Sequence, residues 1–408
     1  MKTSKGMRIQ IGIFGRRNAG KSSFLNGLVG QPVSIVSPTP GTTTDPVEKA
    51  MELLPIGPVL FIDTAGIDDL GALGEQRISR TLKAIERTDL AVIIAEAGKW
   101  GEFEKRLLRG FRDEKIPVIA VFNKADLARP EGELTARLEG EGIAWMEAEA
   151  HRGVGIDRFK RLLIESLPAE LLAARPIAGD LIRPGETVVL VVPIDLEAPR
   201  GRLILPQVQT IRDLLDHDGA CLVVKEGGLA GALENLKTPP ALVVTDSQAF
   251  PAVARTVPGE IPLTSFSILY ARLKGDLATL AEGALAIDRI QPGDRVLIAE
   301  ACTHHPIGDD IGRCQIPRLL ERRLGYPVET RVVASHDFPA DLADYRLVIH
   351  CGSCMFNRKE VLTRILRCRR AGIPITNYGI ALAYCGGIFR RALAPFPEVN
   401  KIIGDGSD

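Results

Sequence analysis

The chain has 408 residues, 45% hydrophobic and 25% charged, with Lys plus Arg and Asp plus Glu balanced at 51 each. That length is too great for one ordinary core and predicts two or three domains of a globular protein. Zero net charge leaves no basic excess to drive binding to nucleic acid or to an anionic membrane, and neither partner is expected. The start "MKTSKGMRIQ" lacks an apolar leader core, and no later stretch offers about eighteen consecutive apolar residues, so the expected location is the cytoplasm. Seven cysteines, an odd number, do not fit a secreted disulfide framework and read as reduced thiols.

In chain order, apolar strands alternate with helical patterns: "RIQIGIF", a helix from Lys21, "PVLFIDT", a helix through "RISRTLKAIER", "LAVIIAE", another helix, "PVIAVFN", and a last helix from Gly155 to about Leu167. Such alternation predicts a parallel sheet with helices on both faces. Pro168 and "ARPIAGDLIRPGE" break the pattern as a linker, which sets a first domain at 1–172. A second series follows over 173–261, with "TVVLVV", a helix near "PQVQTIRDLLD", "CLVVK" and "ALVVTD". It has few residues suited to catalysis and reads as a packing or association domain. The third segment, 262–408, carries one amphipathic helix through "SILYARLKGDLATLAEG", the strand "DRVLIAE", a helix "IPRLLERRLG", the strand "YRLVIH", a helix from Arg358 and the short strand "IPITN". The expected fold class is therefore α/β in three domains.

"GRRNAGKS", Gly15 to Ser22, matches G-x-x-x-x-G-K-[ST] between an expected strand and an expected helix, the context that the phosphate-loop motif requires. Gly15 and Gly20 let the backbone wrap phosphate oxygens at a helix N-terminus. Asn18, Ala19 and Ser23 complete that cradle. Lys21 would place a charge at the β and γ phosphates, and the Ser22 hydroxyl would bind Mg²⁺. In "DTAG", Asp63 is placed to hold Mg²⁺ and Gly66 to sense the γ-phosphate. "PTPGTTTD" supplies Thr43 and Thr44 for a switch segment, with Thr44 a further Mg²⁺ ligand. "NKAD", Asn123 to Asp126 and including Lys124, selects guanine: the Asp126 carboxylate accepts from N1–H and N2–H, which adenine cannot offer, and Asn123 faces N7 or O6. Catalysis of GTP hydrolysis is thus expected from Lys21, Ser22, Asp63 and Gly66.

At the other end, Cys302 and His304 in "ACTHH" follow one strand, and His350, Cys351 and Cys354 in "HCGSC" follow another. Loops at the carboxyl ends of neighbouring parallel strands share one crevice, so distance in sequence need not separate them. Asn357 reads as the N-cap and Glu360 as the third helical position of a capping box, and that helix N-terminus would lower the pKa of nearby thiols. A thioredoxin-like pair needs no third cysteine with a histidine, whereas a zinc site and an iron-sulfur cluster both fit the residue types. Cys221, Cys314, Cys368 and Cys385 read as core or incidental thiols. His151, His217 and His336 read as surface or structural, with His305 a weaker ligand candidate.

From Arg8 to Leu167 the motifs resemble the Era and TrmE branch of GTPases. Ile67 stands where Ras-like members have glutamine. In the TrmE-like branch that loss accompanies a K⁺ ion held by the phosphate-loop Asn, here Asn18. The guanine-supporting Ser-Ala loop aligns with Glu149 and Ala150, of which Ala150 is usable and Glu149 atypical. C-x-H followed by H-C-x-x-C, downstream of such a GTPase and together with "RLILPQVQTIRDLL", resembles the FeFe-hydrogenase maturation GTPases of the HydF family over essentially the whole chain. The resemblance implies a GTPase domain, a dimerisation domain giving a homodimer, and a domain that binds a 4Fe-4S cluster through Cys302, Cys351 and Cys354. His304 and His350 would be possible further ligands. It also implies a scaffold or carrier for the di-iron precursor of the hydrogenase active site, with apo FeFe-hydrogenase and two radical-SAM maturases as partners. An RNA-modification or ribosome-assembly GTPase with a C-terminal zinc site is the alternative.

Overall fold

The computed structural model describes residues 5–29, 47–54, 56–64, 84–173, 175–193, 203–301, 310–339, 341–353 and 355–404. They fall into two compact units, Met1–Ala174 and Arg175–Asp408. Among them no helix is long and apolar enough to cross a membrane.

The first unit is built on a six-stranded sheet in the order β2-β3-β1-β4-β5-β6. Its strands are β1 Ile9–Phe14, β2 Val47–Leu53, β3 Gly57–Asp63, β4 Leu90–Glu96, β5 Val118–Asn123 and β6 Ala144–Ala148. All neighbours are parallel except the β2–β3 pair. Strand periodicity divides β4 between two cores. Leu90, Val92 and Ile94 pack with Ile11, Phe24 and Phe159, while Ala91 and Ile93 pack with Phe14, Ile62 and Phe111. Burial on both faces is why β1, β4 and β5 read as nearly continuous apolar runs, with the buried Gln10 the one polar break inside β1. The edge strands β2, "VEKAMEL", and β6, "AWMEA", carry charged residues and escape a search for such runs. The helices Lys21–Val29, Glu102–Asp113 and Ile156–Ser166 stand where the sequence predicts them, and Gly132–Gly140 adds one more. The helix expected through "RISRTLKAIER" lies mostly outside the described residues.

The second unit holds two four-stranded sheets, β10-β9-β7-β8 and β12-β11-β13-β14. The first has β7 Thr187–Val191, β8 Ala220–Val224, β9 Leu242–Thr245 and β10 Leu263–Ser265. The other has β11 Arg295–Ala299, β12 Glu329–Val333, β13 Leu347–His350 and β14 Ile375–Asn377. Both are wholly parallel. Two expectations are corrected here. The boundary at 261/262 falls ahead of β10, which pairs with β9 and so belongs to the middle sheet. The single helix through "SILYARLKGDLATLAEG" is two, Phe266–Lys274 and Leu277–Ala284. They divide at Gly275 because the Asp276 carboxylate caps the second, accepting from the Thr279 N–H at 3.0 Å.

Candidate functional site

The carboxyl end of β1 runs into the phosphate loop, and two glycines decide its path. Gly15 at φ +152° lies so close to β4 that a Cβ would collide with the Ile94 carbonyl oxygen; at Gly20, φ +93°, it would collide with Asn123 Nδ2. Lys21 is buried, and its ammonium donates to the carbonyls of Gly15 at 2.9 Å and Arg16 at 2.7 Å. It ties the start of the loop to the first residue of the helix. Ser22 Oγ donates to Asp63 Oδ2 at 3.0 Å, so the two residues expected to share a divalent cation already touch across helix and strand. Burial pushes the Asp63 pKa up, opposed by the Ser22 hydrogen bond and the charges of Lys21 and Lys49.

Asn123, at the end of β5, is buried, and its amide staples two loops together. Nδ2 donates to the Ala19 carbonyl at 2.9 Å, and Oδ1 accepts from the Ala150 N–H at 2.9 Å. The residue expected to face the guanine edge therefore first fixes the phosphate loop to the Ala150 loop, and Ala150 gives its N–H to Asn123. The atypical Glu149 closes that loop through a backbone bridge to Val154 and an ion pair with Arg152 at 3.1 Å. Lys124 adopts φ +59° and donates to Glu96 at 2.9 Å. A cavity of about 510 Å³ is lined by Asn18, Gly20, Lys21, Ser22 and Ser23 on one side and by Asn123, Lys124, Asp126, Leu127, Ala150 and His151 on the other. Leu127 and His151 were not expected here. His151 Nε2 stands 3.9 Å from Asp126 Oδ2, and its only sequence signal is its place directly after Ala150. Arg16 is turned away from phosphate chemistry: its guanidinium pairs with the buried Glu104 at 2.8 and 3.1 Å. Thr43, Thr44 and Gly66 lie outside the described residues.

In the second unit β11 and β13 are adjacent and in register, with Ala299 opposite His350. The Cys351 N–H donates to the Ala299 carbonyl at 2.9 Å, and the Ala301 N–H donates to Cys351 Sγ at 3.0 Å. The strand preceding Cys302 and the strand preceding the C-x-x-C turn thus end side by side. Cys302, His304 and Cys354 themselves lie outside the described residues, and among the described ones no group of three or more His, Cys, Asp and Glu could hold a metal. What is described fits a thiolate-bound group. The Cys351 sulfur accepts a backbone N–H, and the helix Arg358–Arg370 begins just beyond the turn, capped by Asn357 Oδ1 accepting from the Glu360 N–H at 3.1 Å. Only half of the expected capping box forms, because the Glu360 carboxylate turns to His336 at 2.8 Å and Arg364 at 3.2 Å.

His350, a ligand candidate in the sequence, is buried with both ring nitrogens engaged by protein. Arg364 Nη1 stands 3.0 Å from Nε2, and Nδ1 is 2.9 Å from Ser353 Oγ and 3.0 Å from the Cys351 carbonyl. A guanidinium only donates, so Nε2 accepts and Nδ1 carries the proton. Burial, helped by the Arg364 charge, lowers the His350 pKa to about 3 and keeps the ring neutral. Its geometry is that of a brace for the turn.

A phosphate loop, a Ser–Asp pair at the Mg²⁺ position and an N-K-A-D loop, joined through Asn123 on a mainly parallel sheet, define a P-loop domain of the GTPase class. Residues 10–124 match the family model described as 50S ribosome-binding GTPase, 177–275 the hydrogen maturase F dimerization domain, and 278–395 the hydrogen maturase F tetramerization domain. The chain belongs to the hydrogen maturase F family. Similar proteins include the tRNA modification GTPase MnmE of Nitrosomonas europaea, 35% identical over 39% of this chain and 34% of that protein. GTPase Der of Thermomicrobium roseum is 39% identical over 34% of this chain and 30% of its own length. The chain thus spans about a third of the length of these relatives. A crystal structure of Aquifex aeolicus Era bound to GDP.AlF4- is similar with 20% identity and a TM-score of 0.35, over 55% of this chain and 95% of that one.

Proposed function

We propose that this chain is a GTP-hydrolysing scaffold that binds a 4Fe-4S cluster through Cys302, Cys351 and Cys354 and assembles or delivers the di-iron precursor of the FeFe-hydrogenase active site. Apo-hydrogenase and the two radical-SAM maturases are its proposed partners, and the cytoplasm its proposed location. The observation that carries the reading is the contact of the Ala301 N–H with Cys351 Sγ at 3.0 Å, which brings the chain entering Cys302 to the first thiol of the C-x-x-C turn. Bound through three thiolates, such a cluster keeps one iron with an exchangeable ligand, a docking point that a closed four-cysteine site lacks. His304 is proposed to face that open position, and His350 to brace the turn from behind.

At the nucleotide end Lys21 meets the β and γ phosphates, Ser22 and Thr44 bind Mg²⁺ with Asp63 behind them, Gly66 senses the γ-phosphate, and Asp126 reads guanine. With Ile67 at the position of the missing glutamine, Asn18 is proposed to hold K⁺, a cation near the bridge oxygen supplying the charge that an arginine finger supplies elsewhere. GTP turnover would then control partner exchange. The test is anaerobic reconstitution of the full chain with ferrous iron and sulfide. A broad thiolate-to-iron absorption near roughly 400 nm with iron and sulfide in the protein is expected; colourless protein with stoichiometric zinc supports the RNA-modification or ribosome-assembly alternative.

A further inference from the structure

The turn that carries Cys354 is held from below by a buried lysine. Lys274, the last residue of the helix Phe266–Lys274, is 2% exposed, and its ammonium donates to the carbonyls of Ser353 at 2.8 Å and Phe356 at 2.7 Å. The bonds fall on both sides of Cys354 in sequence. Arg358, the first residue of the helix beyond the turn, reaches back and donates from Nη1 to the carbonyls of Leu273 and Gly275, each at 2.9 Å. Two cations thus cross between the elements, Arg358 taking the carbonyls on either side of Lys274 and Lys274 taking two carbonyls of the turn ahead of Arg358. A cavity of only about 10 Å³ lies between Lys274, Tyr270, Cys351 and Ser353, no more than a single water occupies. Taking an ammonium out of water costs several kcal/mol unless its surroundings repay it, and an apolar side chain would seal this core at no such cost.

We propose that Lys274 is a positioning residue for the metal-binding turn: it fixes the backbone on both sides of Cys354 and sets an ammonium group against that turn. The inference rests on the cluster reading above. Hydrogen bonds and net charge around a cluster set its reduction potential, and partners of this outer kind typically control metal retention about 10–100-fold. The charge also explains why the site is built with lysine rather than with an apolar side chain: three thiolates and the sulfides bring negative charge to the turn, and the ammonium offsets it.

The experiment compares the full-length parent, K274M and K274R, each reconstituted anaerobically with ferrous iron and sulfide. K274M should lose its cluster to a ferrous chelator about tenfold faster than the parent, with a more negative midpoint potential and an unchanged rate of GTP hydrolysis. K274R, which keeps charge and donors, should move both readouts back towards the parent. A K274M protein with parental retention and potential overturns the proposal. So does one that loses iron faster at an unmoved potential, since that is loosened packing alone. Should K274M fail to fold by circular dichroism, K274Q, which keeps a buried amide donor without the charge, is judged on the same two readouts. A parent that takes up no iron overturns the cluster reading and this inference together.

Discussion

The Ala301 N–H donates to Cys351 Sγ at 3.0 Å, a contact between the ends of two strands that are separated in sequence by the whole β12 crossover. If Cys302, Cys351 and Cys354 hold one cluster, their losses are not additive, because three thiolates on one cube act as a unit. Replacing any one by Ser should remove most of the bound iron and all hydrogenase maturation. C221S, C314S, C368S and C385S should keep the iron. Full iron in C302S alongside loss in C351S and C354S would show that the third ligand comes from elsewhere.

Thiol reactivity sets two of those four cysteines apart without any metal. Burial pushes the Cys368 pKa up to about 12 and the Cys385 pKa up to about 11. A raised pKa means less thiolate at a given pH, about one part in ten thousand for Cys368 at pH 8. In the iron-free chain iodoacetamide should label these two last, their rates climbing about tenfold per pH unit as pH rises towards their pKa values. Mass spectrometry of the alkylated peptides gives the order, and Cys368 labelling as fast as Cys351 would contradict it.

His350 separates bracing from ligation. Its replacement by Ala leaves Arg364 Nη1 and Ser353 Oγ without the ring they face, and an unsatisfied buried polar group costs about 1–3 kcal/mol. H350A should therefore lower stability to denaturant by that amount while keeping iron content and paramagnetic resonance close to the parent's. A changed resonance with unchanged stability would instead make it a ligand.

Lys21→Ala should abolish GTP hydrolysis and leave the absorption of the reconstituted cluster in place, since phosphate loop and thiolates belong to different compact units. Asp126→Asn should move preference from guanosine towards xanthosine triphosphate, because an amide donates to the xanthine O2 where the carboxylate accepted from the guanine amine. Competition between the two nucleotides measures it, and unchanged preference would remove Asp126 as base reader.

Asn18 lines the nucleotide cavity at φ +60°, a conformation that Asn tolerates and Ala resists by about 1–2 kcal/mol. Hydrolysis should run faster in K⁺ than in Na⁺ at equal ionic strength, and N18A and N18G should both erase most of the difference. Glycine relieves the backbone, so its agreement with alanine isolates the lost side-chain oxygen. Equal rates in both salts for the parent would remove the K⁺ assignment.

The sequence by itself determined the nucleotide end. A phosphate loop is a local object, a strand, a glycine turn and a helix start, and "GRRNAGKS", "DTAG" and "NKAD" each carry their chemistry in consecutive residues. It also determined most of the buried strands, since a parallel strand covered on both faces is apolar over nearly all its length. Edge strands β2, β6 and β12 stayed hidden because one open side admits charged residues, and the break at Gly275 because a helical apolar pattern continues across it. Tertiary structure alone decided which side chains meet. Nothing near Asn123 in sequence says that it ties Ala19 to Ala150, since those contacts span 104 and 27 residues. Likewise "HCGSC" offers His350 as a ligand, and only the fold supplies the Arg364 that takes its free nitrogen and the Lys274 that holds the turn, because hydrogen bonds depend on positions that the packing of distant helices sets.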